Sequence, residues 1–221
     1  MAGTRFRLLG RYLSVVAVAA PFFLPCGVLA EENAGEVIDH AGTVTSGPSS
    51  EDRRAVKAGS PIVVGDRLIS DGTGRAEIEF RNGIRLVIGP RTDLGIRSFM
   101  QDPEIAFAGA FDLFEGAVRA EVPDDVGDTL AVPTNTAVIV GKRAAWTVIA
   151  EEENTVVVVH KGKAHVQQLD VGRGGRGPLV ELTASFGVEV PAGGPIGTPR
   201  KMDASEIEAL DRRLLPGTKT E

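Results

Sequence analysis

From Glu36 onward, short apolar runs recur about every ten residues, with Gly, Pro, Asn or Asp between them. Runs of that length bounded by turn formers make strands, and many of them at even spacing make a sandwich or a barrel. The clearest unit is Ala76-Glu77-Ile78-Glu79-Phe80, then Arg81-Asn82-Gly83, then Ile84 to Ile88. Ala76, Ile78 and Phe80 share one face and Glu77 and Glu79 the other, the two-residue period of a half-buried strand. Asn82-Gly83 supplies the positive-φ residues that a tight hairpin turn requires.

A second hairpin is expected from Trp146–Ile149, through Glu151-Glu152-Glu153-Asn154, to Thr155–His160. Its return strand, Val156 to Val159, is apolar on both faces, the mark of a central strand. Further strands are expected at Glu36–His40, Thr43–Thr45, Pro61–Val64, Phe111–Leu113, Ala117–Val122, Thr136–Val140, Ala164–Gln168, Leu179–Thr183 and Gly187–Val190, and a loop over Ser46–Lys57. A glycine precedes a strand three times, in Gly42-Thr43-Val44, Gly116-Ala117-Val118 and Gly162-Lys163-Ala164. Either an internal repeat or coincidence in a Gly-rich chain accounts for the echo, and its physical reading is a tight strand entry or bulge. Composition agrees: 27 Gly and 13 Pro in 221 residues suit short strands and turns, and 43% hydrophobic with 24% charged residues fits a globular body rather than disorder or many spans.

One helix is expected at the C-terminal end. Ser205 or Asp203 caps it, and Ile207, Leu210 and Leu214 follow at helical spacing. The fold class is therefore all-β, an antiparallel sandwich with a short C-terminal helix that acts as a lid or docking tail.

Met1–Ala30 differs from the rest. Arg5, Arg7 and Arg11 precede an apolar run from Tyr12 to Phe23, and Val28-Leu29-Ala30 is a small-residue cleavage site. The expectation is a cleaved signal peptide and a periplasmic or secreted product. Pro21 and Pro25 fall where the second half of a spanning helix would lie; the alternative is an uncleaved N-terminal anchor. Cleavage after Ala30 removes Cys26, the one cysteine, and with it disulfides, thiol catalysis and cysteine metal sites. It also leaves 21 basic side chains against 30 acidic ones, a balance of −9. Nucleic acid is a poor partner for such a charge, and without the leader no stable membrane insertion is expected.

No catalytic constellation is legible. Gly172-Arg173-Gly174-Gly175-Arg176-Gly177 has the spacing of a dinucleotide loop, but Pro178 and a strand-like Leu179-Val180-Glu181-Leu182 follow where a helix is required. His40, His160 and His165 have no cysteine or close carboxylate to complete a metal set, and Asp124-Asp125-Val126-Gly127-Asp128 lacks the later Glu of a calcium loop. There is no Gly-x-Ser-x-Gly elbow. Trp146, Phe80, Phe107, Phe111, Phe114 and Phe186 read as packing, with sugar stacking a further use for Trp146. No catalytic residue, cofactor or metal is assigned.

The order of several features resembles the FecR domain: Gly35-Glu36-Val37 and Gly42-Thr43-Val44; Gly59 and Gly65-Asp66 before Leu68-Ile69-Ser70; Asn82-Gly83 with Leu86 and Ile88; Glu115-Gly116-Ala117-Val118-Arg119. Thr134-Asn135-Thr136-Ala137 and Gly141-Lys142-Arg143-Ala144-Ala145-Trp146 stand where that family has Thr-Pro-x-Ala and Gly-Val-Arg-Gly-Thr-x-Phe, and Lys161-Gly162-Lys163-Ala164 stands for its closing strand. The resemblance implies a jelly-roll-like extracytoplasmic β domain over 35–192, after a signal peptide at 1–30 and before a linker and helical tail at 193–221. Some members signal to extracytoplasmic sigma factors through a cytoplasmic segment. Only about ten residues precede the apolar run here, too few for such a domain, so the sigma-regulator role is not carried over.

The leading expectation is a non-enzymatic exported domain that binds a protein or envelope polymer, in envelope signalling. The alternatives are a membrane-anchored regulator and a carboxylate-based hydrolase. Lys142, Arg143 and Trp146 are the first candidates for an interaction surface; their plainer reading is two solvated charges and one packed ring.

Overall fold

The computed structural model describes residues 33–99, 109–126, 129–170 and 175–214. The chain divides into two units, Met1–Ala30 and Glu31–Glu221; the first, with Cys26, lies outside the described residues, as do Phe107 and Gly172 to Gly174.

The described strands are β1 (Asn33–Ala41), β2 (Val44–Gly47), β3 (Arg54–Ala55), β4 (Pro61–Val63), β5 (Arg67–Ser70), β6 (Arg75–Phe80), β7 (Arg85–Ile88), β8 (Asp93–Phe99), β9 (Gly109–Glu121), β10 (Leu130–Pro133), β11 (Ala137–Ala150), β12 (Asn154–Asp170), β13 (Gly175–Thr183), β14 (Phe186–Pro191) and β15 (Arg200–Lys201), followed by α1 (Ala204–Leu214). The fold is all-β, and every described pairing is antiparallel except β9 with β10. The Ala76–Phe80 hairpin pairs as expected, with Ala76, Ile78 and Phe80 buried and β6 beside β7, but its turn is not the primed one expected of Asn82-Gly83: only Gly83 is left-handed, at φ +80°, and a three-residue loop is closed by the Gly83 N–H to Phe80 O at 2.8 Å.

Three of the long strands each join two segments expected to be separate. β9 pairs β8 through residues up to Glu115 and pairs β7 and β11 from Gly116 onward. β12 pairs β14 and the second half of β11 up to Lys161, then β13 and the first half of β11 from Lys163. β11 is correspondingly divided between Lys142 and Ala145. One hydrogen-bonded network thus folds into two arms. One runs β15-β14-β12-β11-β9-β7-β6-β1-β4, and the other runs from β13 through β12, β11, β10, β9, β8 and β5 to β2 and β3.

Glycine makes the bends. Gly42, Gly116 and Gly162 have φ of +62°, +93° and +72°, a region that side-chain-bearing residues enter at a cost. A Cβ on each would lie 2.5 Å from a backbone oxygen, of Thr73, Arg91 and Arg143 respectively. The threefold glycine echo therefore has one geometry, a corner where the chain leaves one arm for the other. The second residue after each glycine, Val44, Val118 or Ala164, is buried. Arg91 and Arg143, opposite two of these corners, are themselves left-handed at φ +52° and +50°.

A single core lies between the arms, with Val44, Leu68, Leu94, Ile96 and Leu113 from one and Val37, Ile78, Leu86, Val148 and Val157 from the other. Phe80 stacks on Phe111 and Phe99 at centroid distances of 4.7 and 5.3 Å. Trp146 is fully buried against Gly141, where a Cβ would lie 2.4 Å from the nearest indole carbon.

The segment expected as a loop over Ser46–Lys57 is instead partly paired. β2 continues to Gly47, and Thr45 and Ser46 pair Ala55 and Arg54 of β3. The reason is Asp66, 4% exposed, whose Oδ2 accepts from Ser46 Oγ at 2.6 Å and Arg54 Nη2 at 2.8 Å. One buried carboxylate ties two polar strands that carry no apolar period to betray them. Helix α1 is capped reciprocally: Asp203 Oδ1 accepts from the Glu206 N–H at 2.8 Å and Glu206 Oε2 from the Asp203 N–H at 2.9 Å. Asp203, rather than Ser205, is the cap.

Candidate functional site

The motif residues of the sequence turn out to be architectural. Thr134 Oγ1 accepts from the Ala137 N–H at 3.0 Å and closes the β10–β11 turn, while Thr136 Oγ1 donates to Val190 O at 2.8 Å and lies 2.7 Å from Thr155 Oγ1. These buried hydroxyls pin the turn to β12 and β14. Asp71 does the same at the Asp71–Gly74 turn, where hydrogen bonds from Thr73 and Thr43 hold its carboxyl down at about 2.

Lys142 and Arg143 stand exposed at the β11 bend and make no ion pair among the described residues, whereas Trp146 points into the core. The structure therefore brings the two cations together and sets the ring apart from them. Lys142 lies opposite Lys163, which is held by Glu181 at 2.9 Å. His160 and His165 flank the Gly162 corner and part: His165 meets Glu181 on the surface, and His160 is buried beneath α1. Asp124 pairs Lys161 at 2.7 Å. Among the described residues no group of three His, Cys, Asp or Glu is placed to hold a metal.

Two features stand out once the strands are assembled. The first is β13. The other outermost strands, β3, β4 and β15, have two or three residues each, but β13 has nine and pairs only β12 among the described strands. It is exposed over most of its length, with Leu179 59% exposed. A register shift opposite Gln167 to Leu169 accommodates Pro178, and Gln167 Nε2 donates to Gly177 O at 2.5 Å. Proline, a bulge and the charges of Arg176 and Glu181 are the devices that keep a long edge from indiscriminate pairing.

The second is a polar cluster under α1. One cross-strand row on the outer face of the first arm reads Val87, Arg119, Thr147, Val158, Gly187. Met202 reaches Gly187 at one end of the row, and Asp211 reaches Arg119 Nη1 at 2.9 Å toward the other. The two contacts lie three strand spacings apart, about 14 Å, and are bridged by Asp203 and by the helix from Ala204 to Asp211, which rises about 10.5 Å, so α1 runs across the strands. Thr147 Oγ1 lies 2.8 Å from His160 Nε2 and 3.5 Å from Asp211 Oδ1. Burial, then the Arg119 charge, lowers the His160 pKa to about 4 against an opposing pull from Asp211, so the imidazole is neutral at pH 7.

Thr147 beside His160 has the reach of a nucleophile and its base, but Thr147 is 0% exposed. Asp211 also approaches the same imidazole nitrogen that Thr147 does, where a catalytic orienter would engage the other. The cluster holds a helix down. A shallow cleft of about 380 Å³ beside the β6–β7 hairpin, lined by Asn33, Glu36, Glu79 and Arg81 among others, gathers no buried acid–base pair.

Residues 66–165 match the family model described as FecR protein. Two crystal structures of a proposed anti-sigma factor from Parabacteroides distasonis superpose with a TM-score of 0.52 at 18% identity, covering 65% of this chain. The chain spans about 63% of the length of that neighbour. No curated protein matches.

Proposed function

We propose that the protein is an exported, non-enzymatic FecR-type binding module of envelope signalling, which engages a protein partner by strand addition along β13. The observation that carries the reading is the nine-residue edge, long where the other described sheet ends are short. An edge of that length offers a row of backbone donors and acceptors, and alternate side chains such as Leu179 confer selectivity. Lys142 and Arg143, unpaired on the same arm, supply charge at its margin. The FecR match and the fold shared with a proposed anti-sigma factor support a regulatory setting, and the composition of Met1–Ala30 supports export.

The test places a photo-crosslinking residue at position 179 in the producing cell. Capture of one envelope protein, abolished by Val180→Pro in β13 and unaffected by Arg97→Gln on β8, is the expected result. Capture that ignores the edge variant, or turnover of an envelope polymer by the purified protein, overturns it.

A further inference from the structure

We infer that the seat of α1 is an exchangeable docking site for an acidic amphipathic helix, which α1 occupies in cis and a partner helix of the same pattern occupies in trans. The pattern is read from α1 itself: apolar at i and i+3, carboxylate at i+4, here Ile207, Leu210 and Asp211. All three are half-buried against the sheet, while Ala204, Ser205, Glu206, Glu208, Ala209 and Arg212 are exposed.

The seat is specific for a carboxylate. Arg119 from β9, Thr147 from β11 and His160 from β12 converge on the two oxygens of Asp211, at 2.9, 3.5 and 3.8 Å. Three strands thus each supply one polar group to a single point. With His160 neutral, Arg119 is the one full charge in the seat, and it selects an anion. On either side of that point the row is apolar, with Val87 and Val158 buried but absent from the central core. A helix lying across the strands covers that mixture.

The seat is also built to be vacated. An eleven-residue helix is marginal on its own in water, and among the described side chains α1 and its lead-in adhere through the half-buried Met202, Ile207 and Leu210 and through the contacts of Asp211 with Arg119, Thr147 and His160. The helix follows a segment containing Gly193, Gly194 and Gly197, which is tied to the sheet by β15 and by single hydrogen bonds such as the Gly197 N–H to Glu189 O and the Met202 N–H to Ser185 O, both 2.8 Å. Elements held by few contacts open locally first. The inference does not depend on the β13 edge.

The probe is a fluorescent peptide with the sequence of residues 203–214, titrated into the full chain and followed by anisotropy. Asp211→Ala, which loosens the resident helix, is expected to bind the peptide at least tenfold more tightly than the unaltered protein. Asp203→Ala, which removes the cap and leaves the seat intact, should shift affinity the same way and serves where the first variant folds poorly. A peptide carrying Asn in place of Asp211 should bind at least tenfold more weakly, as should the native peptide to Asp211→Ala combined with Arg119→Gln. Equal binding of the Asp and Asn peptides, or no binding to either loosened variant, overturns the inference. A concentration-dependent dimer of the loosened variants that excludes the peptide also overturns it, in favour of exchange between copies of this chain.

Discussion

Single residues decide where this chain turns. Gly162→Ala places a Cβ 2.5 Å from Arg143 O at a left-handed backbone, and should cost roughly 2 kcal/mol or more, combining left-handed strain with a displaced backbone. Arg143 occupies the same region without being glycine, so Arg143→Gly should raise stability, by up to about 1 kcal/mol. Urea midpoints of the two variants check both signs; a loss in Arg143→Gly would show that its side chain is anchored. Trp146 offers a third case, since its buried Nε1 has no hydrogen-bond partner among the described residues. Trp146→Phe should therefore cost under about 1.5 kcal/mol, as a swap that keeps a ring in place, against about 3–5 kcal/mol for Trp146→Ala. The glycine corners were half legible in sequence: a glycine before a strand reads as a tight entry or bulge, but that Gly42, Gly116 and Gly162 share one left-handed geometry emerges only from the fold. The role of Asp66 was not legible, because a buried carboxylate reads like any surface acid until its Ser46 and Arg54 partners are assembled.

At the scale of elements, the strand pattern reveals alternation but not continuity. Phe111–Leu113 and Ala117–Val122 read as two strands because Gly116 resembles a turn; in the fold it bends one strand without breaking its pairing. Which strand becomes an edge is only partly legible: Pro178 restricts β13 to an edge or a bulge, but that it pairs β12 alone among the described strands emerges from the assembled sheet. The α1 seat could not be read either, as Arg119, Thr147, His160 and Asp211 are scattered over 93 positions. It does make a pH prediction. His160 has a folded pKa of about 4, below the ordinary value near 6.5, so on acidification the unfolded chain takes up the proton first. The contribution is complete above about pH 6.5 and is lost as pH falls through 4, and at ~1.4 kcal/mol per unit amounts to roughly 3 kcal/mol. Denaturation midpoints between pH 7 and 4 should fall more steeply in the native protein than in His160→Gln. Parallel profiles would contradict the assignment.

For the whole molecule, the arms and corners enclose one shared core, and motif residues such as Thr134, Thr136 and Asp66 are spent on building it. That is why the sequence discloses a FecR-type body more readily than what the body holds: Thr134, Thr136, Gly65 and Asp66 identify a scaffold, while the edge and the helix seat emerge only from assembly. The functional account stands on this scaffold being delivered outside the cytoplasm, where its long edge can meet an envelope partner. The most direct measurement is the intact mass and cellular fraction of the protein made in its own cell. The account predicts an envelope or secreted product beginning at Glu31, and a soluble cytosolic product retaining Met1–Ala30 would contradict it.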